Sequence, residues 1–239
     1  MPAYRPKNGF KLFGFLDRRS DLTLEQFQLH WRTIHADHAV KLTPYMSLYL
    51  QNHAHAAPLP GFRRPCDGSP ELWFESVEKI AQMGVSPEYM DGAYLDELEF
   101  MADRAIGVIA TETVLLPGAP IAPDTREPKA IAFLKRRDGV SLEEIQGALG
   151  SLDVPAVDVH GLNRHIRSFA IVTEPGVDPL FDAIEEYWWA DDSGLEAGWG
   201  RGAIRAEIAS MVDVEASAAL RVDEIRPYWP NSGVDFRSE

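Results

Sequence analysis

Three histidines, His30, His35 and His38, fall within nine residues in the stretch EQFQLHWRTIHADHA, although the whole chain has only seven. Imidazole titrates near neutrality, so such a group can act as an acid, a base or a metal ligand. At about 100° per residue, Leu24, Phe27, Trp31, Ile34, His35, His38 and Leu42 share one face of a helix, with His30 at its flank. That face should look onto a sheet, which aims His35 and His38 inward beside Trp31. The spacing permits zinc. However, the HExxH pattern is absent and no carboxylate is legible that would complete a ligand set, so no metal is expected. His53 and His55 read as solvated loop residues near the mouth of any pocket. Asp96, Glu97 and Glu99 read as a solvated helix face, and Asp67-Gly68 as a turn.

Positioning these side chains requires a scaffold, and the chain spells one twice. KLFGFLDRRSDLTLEQF (Lys11 to Phe27) aligns without a gap on KAIAFLKRRDGVSLEEI (Lys129 to Ile145). Each segment runs from an apolar strand through an arginine pair to a capping box, Thr23 with Gln26 and Ser141 with Glu144. SLYLQNHA and RHIRSFAI then match as strands, as do ELWF and EYWW. A second helix follows in each half, near Pro87 to Asp103 and Leu195 to Ala209. Closing strands span Val108 to Leu115 and Leu220 to Ile225. The order per half is β-α-β-β-α-β, the ferredoxin-like unit. PGAPIAPDTREP joins the halves, so the expected division is a first unit at 8–117, a linker at 118–128 and a second unit at 129–230. Apolar residues on both alternating faces of the first strand call for cover on both sides. The fold expected is α+β, with two ferredoxin-like units packed sheet to sheet as an intramolecular barrel.

Bulk properties narrow the partners. A net charge of -14 and a pI near 4.9 disfavour nucleic acid and anionic membranes. No N-terminal signal pattern or long apolar run is present, and the single cysteine, Cys66, can form no internal disulfide. A soluble, cytoplasmic protein is expected, with Cys66 an ordinary thiol.

The run FGFLDRRSDLTLEQFQLHWRTIHADH, followed by YLQNH and DGSPELWFES, resembles the EthD family of the dimeric α/β-barrel superfamily. Phe27, His30-Trp31, His35, Tyr49, Gln51-Asn52 and Asp67-Gly68 carry the match. The second half matches through its first strand, its turn and its element order, as a degenerate repeat standing in for a homodimer partner. Further oligomerisation is left open. The resemblance implies a pocket for a small hydrophobic, aromatic or polyketide-like metabolite between a sheet and its helices. The catalytic groups expected are His35, His30 and Tyr49, with Trp31, His38, Phe13, Asn52 and Trp73 around the substrate. His35 would be the general acid or base, and His30 or Tyr49 would polarise or protonate an oxygen. The expected activity is that of a cofactor-independent lyase or isomerase, such as a dehydratase, cyclase or decarboxylase. The alternatives are an oxygenase, haem-using or cofactor-free, and a non-catalytic binding protein. The helix that would match the histidine helix carries Ala148, Leu149, Asp153 and Ala156 in its place, which confines the expected pocket to the first repeat.

Overall fold

A computed structural model describes residues 9–103, 105–118, 126–152, 161–202 and 208–228. The first strand, β1 (Phe10–Phe15), leads through the Arg18-Arg19 turn into helix α1 (Leu24–His30). A π turn (Trp31–His35), a short helix α2 (Ala36–Ala39) and a 3-10 turn (Val40–Leu42) continue it. Strands β2 (Leu48–Ala54) and β3 (Gly68–Phe74) follow, then helix α3 (Val77–Gly84), a second π turn (Tyr89–Ala93), helix α4 (Tyr94–Phe100) and strand β4 (Ile106–Leu116). The second half runs β5 (Lys129–Arg136), α5 (Leu142–Gly150), β6 (Leu162–Ala170), β7 (Ala183–Trp189), α6 (Asp192–Gly202) and β8 (Val212–Tyr228). Helix α3 is an addition to the order read from sequence. Residues 203–207 of the expected second helix, and Asp153 and Ala156, lie outside the described residues.

Both capping boxes form. The Gln26 amide donates to Thr23 Oγ1 at 3.2 Å and Glu144 N to Ser141 Oγ at 3.1 Å, each answered by the reciprocal bond. The paired turns are built alike as well. Arg18 donates to Asp67 and to the Leu22 carbonyl, and Arg136 donates to Asp182 and to the Val140 carbonyl. Asp67 is therefore more than a turn residue. It is buried and accepts from Arg64 and from the Arg18 backbone as well.

The eight strands close into one antiparallel barrel in the order β1-β3-β2-β8-β5-β7-β6-β4. Each unit keeps its own four-strand sheet, and the seams β2–β8 and β4–β6 join first half to second. Residues on the inner faces of both sheets fill the barrel. One end is aromatic and aliphatic, with Phe13, Phe133 and Phe181 in mutual contact through their neighbours. The other is ionic. Lys11 Nζ pairs with Glu71 and Glu186, and Lys129 Nζ lies 2.7 Å from Glu71 and 2.9 Å from Glu186. Glu112 and Glu224 flank this square, at 3.6 Å from Lys11 and 3.0 Å from Lys129. The members are repeat partners: Lys11 matches Lys129, and Glu71 matches Glu186. A buried ammonium or carboxylate is tolerated only when paired, and each member of the square has two opposite charges beside it.

The outer face of each sheet is covered by its own helices. Among the described residues no helix is long and apolar enough to cross a membrane.

Candidate active site

The first π turn decides which histidines meet the sheet. Its wider winding brings residues four apart nearly into line, so Phe27, Trp31, His35 and Ala39 are buried in series. Ile34, expected on the inner face by a regular helical period, is instead 51 % exposed. His38 is half-buried, and it packs over Gly92, where a Cβ would come within 3.3 Å of its Nδ1.

His35 Nδ1 lies 2.9 Å from Asp96 Oδ2, and His30 Nε2 lies 2.8 Å from Asp96 Oδ1. Asp96 is 8 % exposed and sits on the stripe of α4 and its preceding turn that also buries Ala93 and Phe100. Burial raises its pKa, but the hydrogen bonds and charges of the two histidines outweigh that and hold the carboxyl below its usual range. An ionised carboxylate can only accept, so both facing ring nitrogens carry protons. In neutral His35 the lone pair is then on Nε2. Phe100 supports both rings, stacking on His30 at 4.9 Å and 21° and packing against His35 at 5.0 Å.

Between the first sheet and these helices lies a cavity of about 320 Å³. Its wall is mostly apolar, with Leu12, Gly14 and Leu72 from the strands and Ile80, Met83 and Ala93 from the helices. Both π turns frame it, since Trp31 and His35 line it from one and Tyr89 and Ala93 from the other. Its polar groups are His35, Tyr49, Tyr89 and Glu97, with the Tyr89 hydroxyl donating to Glu97 at 3.1 Å.

On β2 the face that looks at the helix carries Tyr49, Gln51 and His53. Trp31 Nε1 donates to the Tyr49 hydroxyl at 3.1 Å, Gln51 Nε2 donates to the Trp31 carbonyl at 2.8 Å, and His53 stacks on the indole at 4.6 Å. Gly68 on β3 lies directly under that indole. A Cβ there would collide with Cζ3 and stand 3.0 Å from Cη2, so only glycine admits the ring.

A family model for the EthD domain matches residues 19–104, the span from the arginine turn to the end of α4. Residues 19–104 are an EthD domain. Comparison with curated proteins finds no match. Among solved structures, an anthrone oxidase-like protein superposes with a TM-score of 0.59 at 10 % identity, covering 92 % of this chain and 94 % of that one. A mutant chlorite dismutase from Candidatus Nitrospira defluvii gives 0.52 at 8 %, covering 93 % and 94 %. At such identities these two establish the shared dimeric α/β-barrel fold and nothing of the reaction.

The residues singled out by sequence divide between two faces of one sheet. Trp31, His35 and Tyr49 meet at the cavity, with His30 behind His35 on Asp96 and His38 at the flank. Phe13, Asn52 and Trp73 sit across the sheet, inside the barrel, because strand side chains alternate faces. Phe13 joins the aromatic end. Asn52 Nδ2 donates to Glu71 Oε1 at 2.7 Å, and Trp73 Nε1 donates to Glu112 at 3.0 Å. The structure thus separates these three from the cavity expected to hold a substrate. Asp96, Glu97 and His53 move the other way. Asp96 and His53 are buried and Glu97 lines the cavity, whereas Glu99 and His55 are on the surface. Cys66 is buried, and burial pushes its thiol up to about 12, which leaves it un-ionised near neutrality. The signal for Asp96 was present in the sequence, as a carboxylate three residues after Ala93 and four before Phe100 on an apolar stripe.

The second repeat is not devoid of imidazole. His165 occupies the β6 position opposite Tyr187, as Tyr49 sits opposite Leu72 on β3, and its Nε2 lies 2.5 Å from Glu185 Oε2. Among the described residues no group of three or more His, Cys, Asp or Glu side chains is arranged to hold a metal ion.

Proposed function

We propose that this protein is an enzyme that moves a proton on a small apolar, aromatic or polyketide-like molecule bound in the EthD-domain cavity. The observation that carries this reading is the Asp96–His35 pair. A carboxylate fixes the imidazole with Nδ1–H toward itself, which leaves a basic Nε2 for a cavity whose remaining wall is largely hydrocarbon. His30 holds the second oxygen of Asp96, so the carboxylate cannot turn away from His35 without losing a partner. Trp31 supplies a flat apolar wall. A volume of about 320 Å³ suits a molecule of two or three fused rings.

Proton transfer at a carbon beside a carbonyl is the step these reactions have in common, removal in a dehydratase, cyclase or isomerase and delivery to the enolate left by loss of CO2 in a decarboxylase, and His35 is the group positioned for it. A second reading, oxygenation, draws on the name of the anthrone oxidase-like neighbour. It would begin with the same proton abstraction and then consume dioxygen.

The test is deuterium exchange at the benzylic carbon of 2-tetralone or anthrone, followed by NMR in deuterated buffer. The protein should accelerate exchange over buffer and over the His35→Ala variant. Exchange no faster than buffer for both ketones would remove the reading. Oxygen uptake in the same samples would favour oxygenation over isomerisation.

A further inference from the structure

The hydrogen bonds behind the cavity fix the direction of one proton. The Trp31 carbonyl must receive a donor, so the amide nitrogen of Gln51, 2.8 Å away, is correctly placed and its Oε1 is the acceptor. His53 Nε2, 2.9 Å from that Oε1, therefore donates to it. Burial pushes the His53 ring down to about 4, so it is a neutral imidazole with a single N–H at Nε2. Gln51 Nε2 also reaches the Tyr49 hydroxyl at 2.9 Å, where Trp31 Nε1 donates as well, at 3.1 Å. The Tyr49 oxygen thus accepts two hydrogen bonds from groups that cannot accept in return. Burial pushes the phenol up, which keeps its own hydrogen in place. Among the described residues nothing accepts that hydrogen, and Tyr49 lines the cavity.

We infer that His53, Gln51 and Trp31 form a one-way chain of donors ending in the Tyr49 O–H, and that the cavity selects ligands presenting a carbonyl or enolate oxygen to it. Gln51 and His53 are positioning residues. They leave the phenol one role, that of donor, and successive donors polarise one another toward the cavity. A ligand offering only a hydrogen-bond donor at this point, or only hydrocarbon, would strand the buried O–H, which is the costlier outcome. The inference rests on the proposed function for the location of the site but not for its chemistry. Its test is an equilibrium binding measurement, in which no proton is transferred.

The probes are 1-tetralone and tetralin, which share size and shape and differ by the carbonyl oxygen. Binding to the full chain is followed by calorimetry or tryptophan quenching. The wild type should prefer tetralone by about tenfold, the ordinary worth of one buried hydrogen bond. Tyr49→Phe should remove the preference while keeping the tetralin affinity. Gln51→Leu, which lets the hydroxyl rotate, should reduce the preference several-fold with Tyr49 still present. If the variants fold poorly, the carbonyl stretch of tetralone bound to the wild type decides: a shift to lower frequency than in hydrocarbon solvent is expected. Equal affinities for the two probes, a preference that survives Tyr49→Phe, no tetralone binding, or an unshifted carbonyl stretch would each overturn the inference. Loss of deuterium exchange with the tetralone preference intact would count against His35 as base and leave this assignment standing.

Discussion

Asp96 Oδ2 accepts from His35 Nδ1 at 2.9 Å, joining two helices 61 positions apart in the chain. This contact sets the tautomer of the one imidazole that lines the cavity, and everything proposed for catalysis depends on it.

Removing the imidazole should therefore abolish chemistry and spare the fold. His35→Ala is expected to lose about 10²–10⁴-fold in turnover per folded molecule, with gel filtration and circular dichroism unchanged. Near wild-type turnover in a folded variant would leave a binding protein as the better description.

Asp96→Asn tests the tautomer. An amide can donate to His35 Nδ1 and so stabilise the ring with its proton on Nε2, the wrong form for a base. Turnover should fall by about 10²-fold or more, and the loss should be in kcat rather than KM. Two-dimensional NMR of the His35 ring nitrogens would show the proton moving from Nδ1 to Nε2. An unchanged tautomer with unchanged turnover would detach Asp96 from the mechanism.

Gly68→Ala puts a methyl group into the Trp31 indole, a rigid ring in a buried site. Overpacking of this kind costs about 1–3 kcal/mol, and the displaced indole would also leave the Tyr49 oxygen. Thermal unfolding should show a Tm lowered by several degrees. A Tm equal to wild type would mean that the β3 backbone yields freely beneath Trp31.

The ionic square inside the barrel should make stability depend on pH. Burial, reinforced by the Glu71 carboxylate, pushes Glu186 up to about 7 from an ordinary 4.5. Between those values the folded chain holds a proton that the unfolded chain has released, so stability falls as pH rises from about 4.5 to 7. Glu71 and Glu224 are held near 2 by the ammonium groups, chiefly Lys11 for Glu71 and Lys129 for Glu224, in spite of burial. Their contribution is lost as pH falls below about 4.5 toward 2. Glu186→Gln should flatten the first limb by on the order of 1 kcal/mol or more between pH 5 and 8, read as the difference in Tm between variant and wild type. Parallel Tm curves would show that Glu186 does not titrate there.

Expressed separately, residues 8–117 and 129–230 should not give soluble, monomeric proteins with native-like unfolding. Each half would expose the strand edges now sealed at β2–β8 and β4–β6, and each member of the charged square would lose one of its two counterions. A stable monomer from either half would refute the expectation.

Much of the scaffold was determined by local chemistry, and for that reason was legible in the sequence. Capping boxes, alternating strands and the repeat of Lys11–Phe27 at Lys129–Ile145 are short-range patterns, and together they specify two ferredoxin-like units and an intramolecular barrel. The same patterns placed His35 and Trp31 inward. Three things were left to tertiary structure. The π turn, whose phase shift turns Ile34 out to 51 % exposure, has no signature in a regular helical period. Which face of each strand looks at the helices is invisible to an alternation that is symmetric between faces. Closure of the barrel decided it, sending Phe13, Asn52 and Trp73 inside and Tyr49, Gln51 and His53 to the cavity. Asp96 and Glu97 look like surface charges until another helix arrives with histidines to pair with one of them. A side chain's type sets what it can do, but its partners, as far as 175 positions away, set what it does.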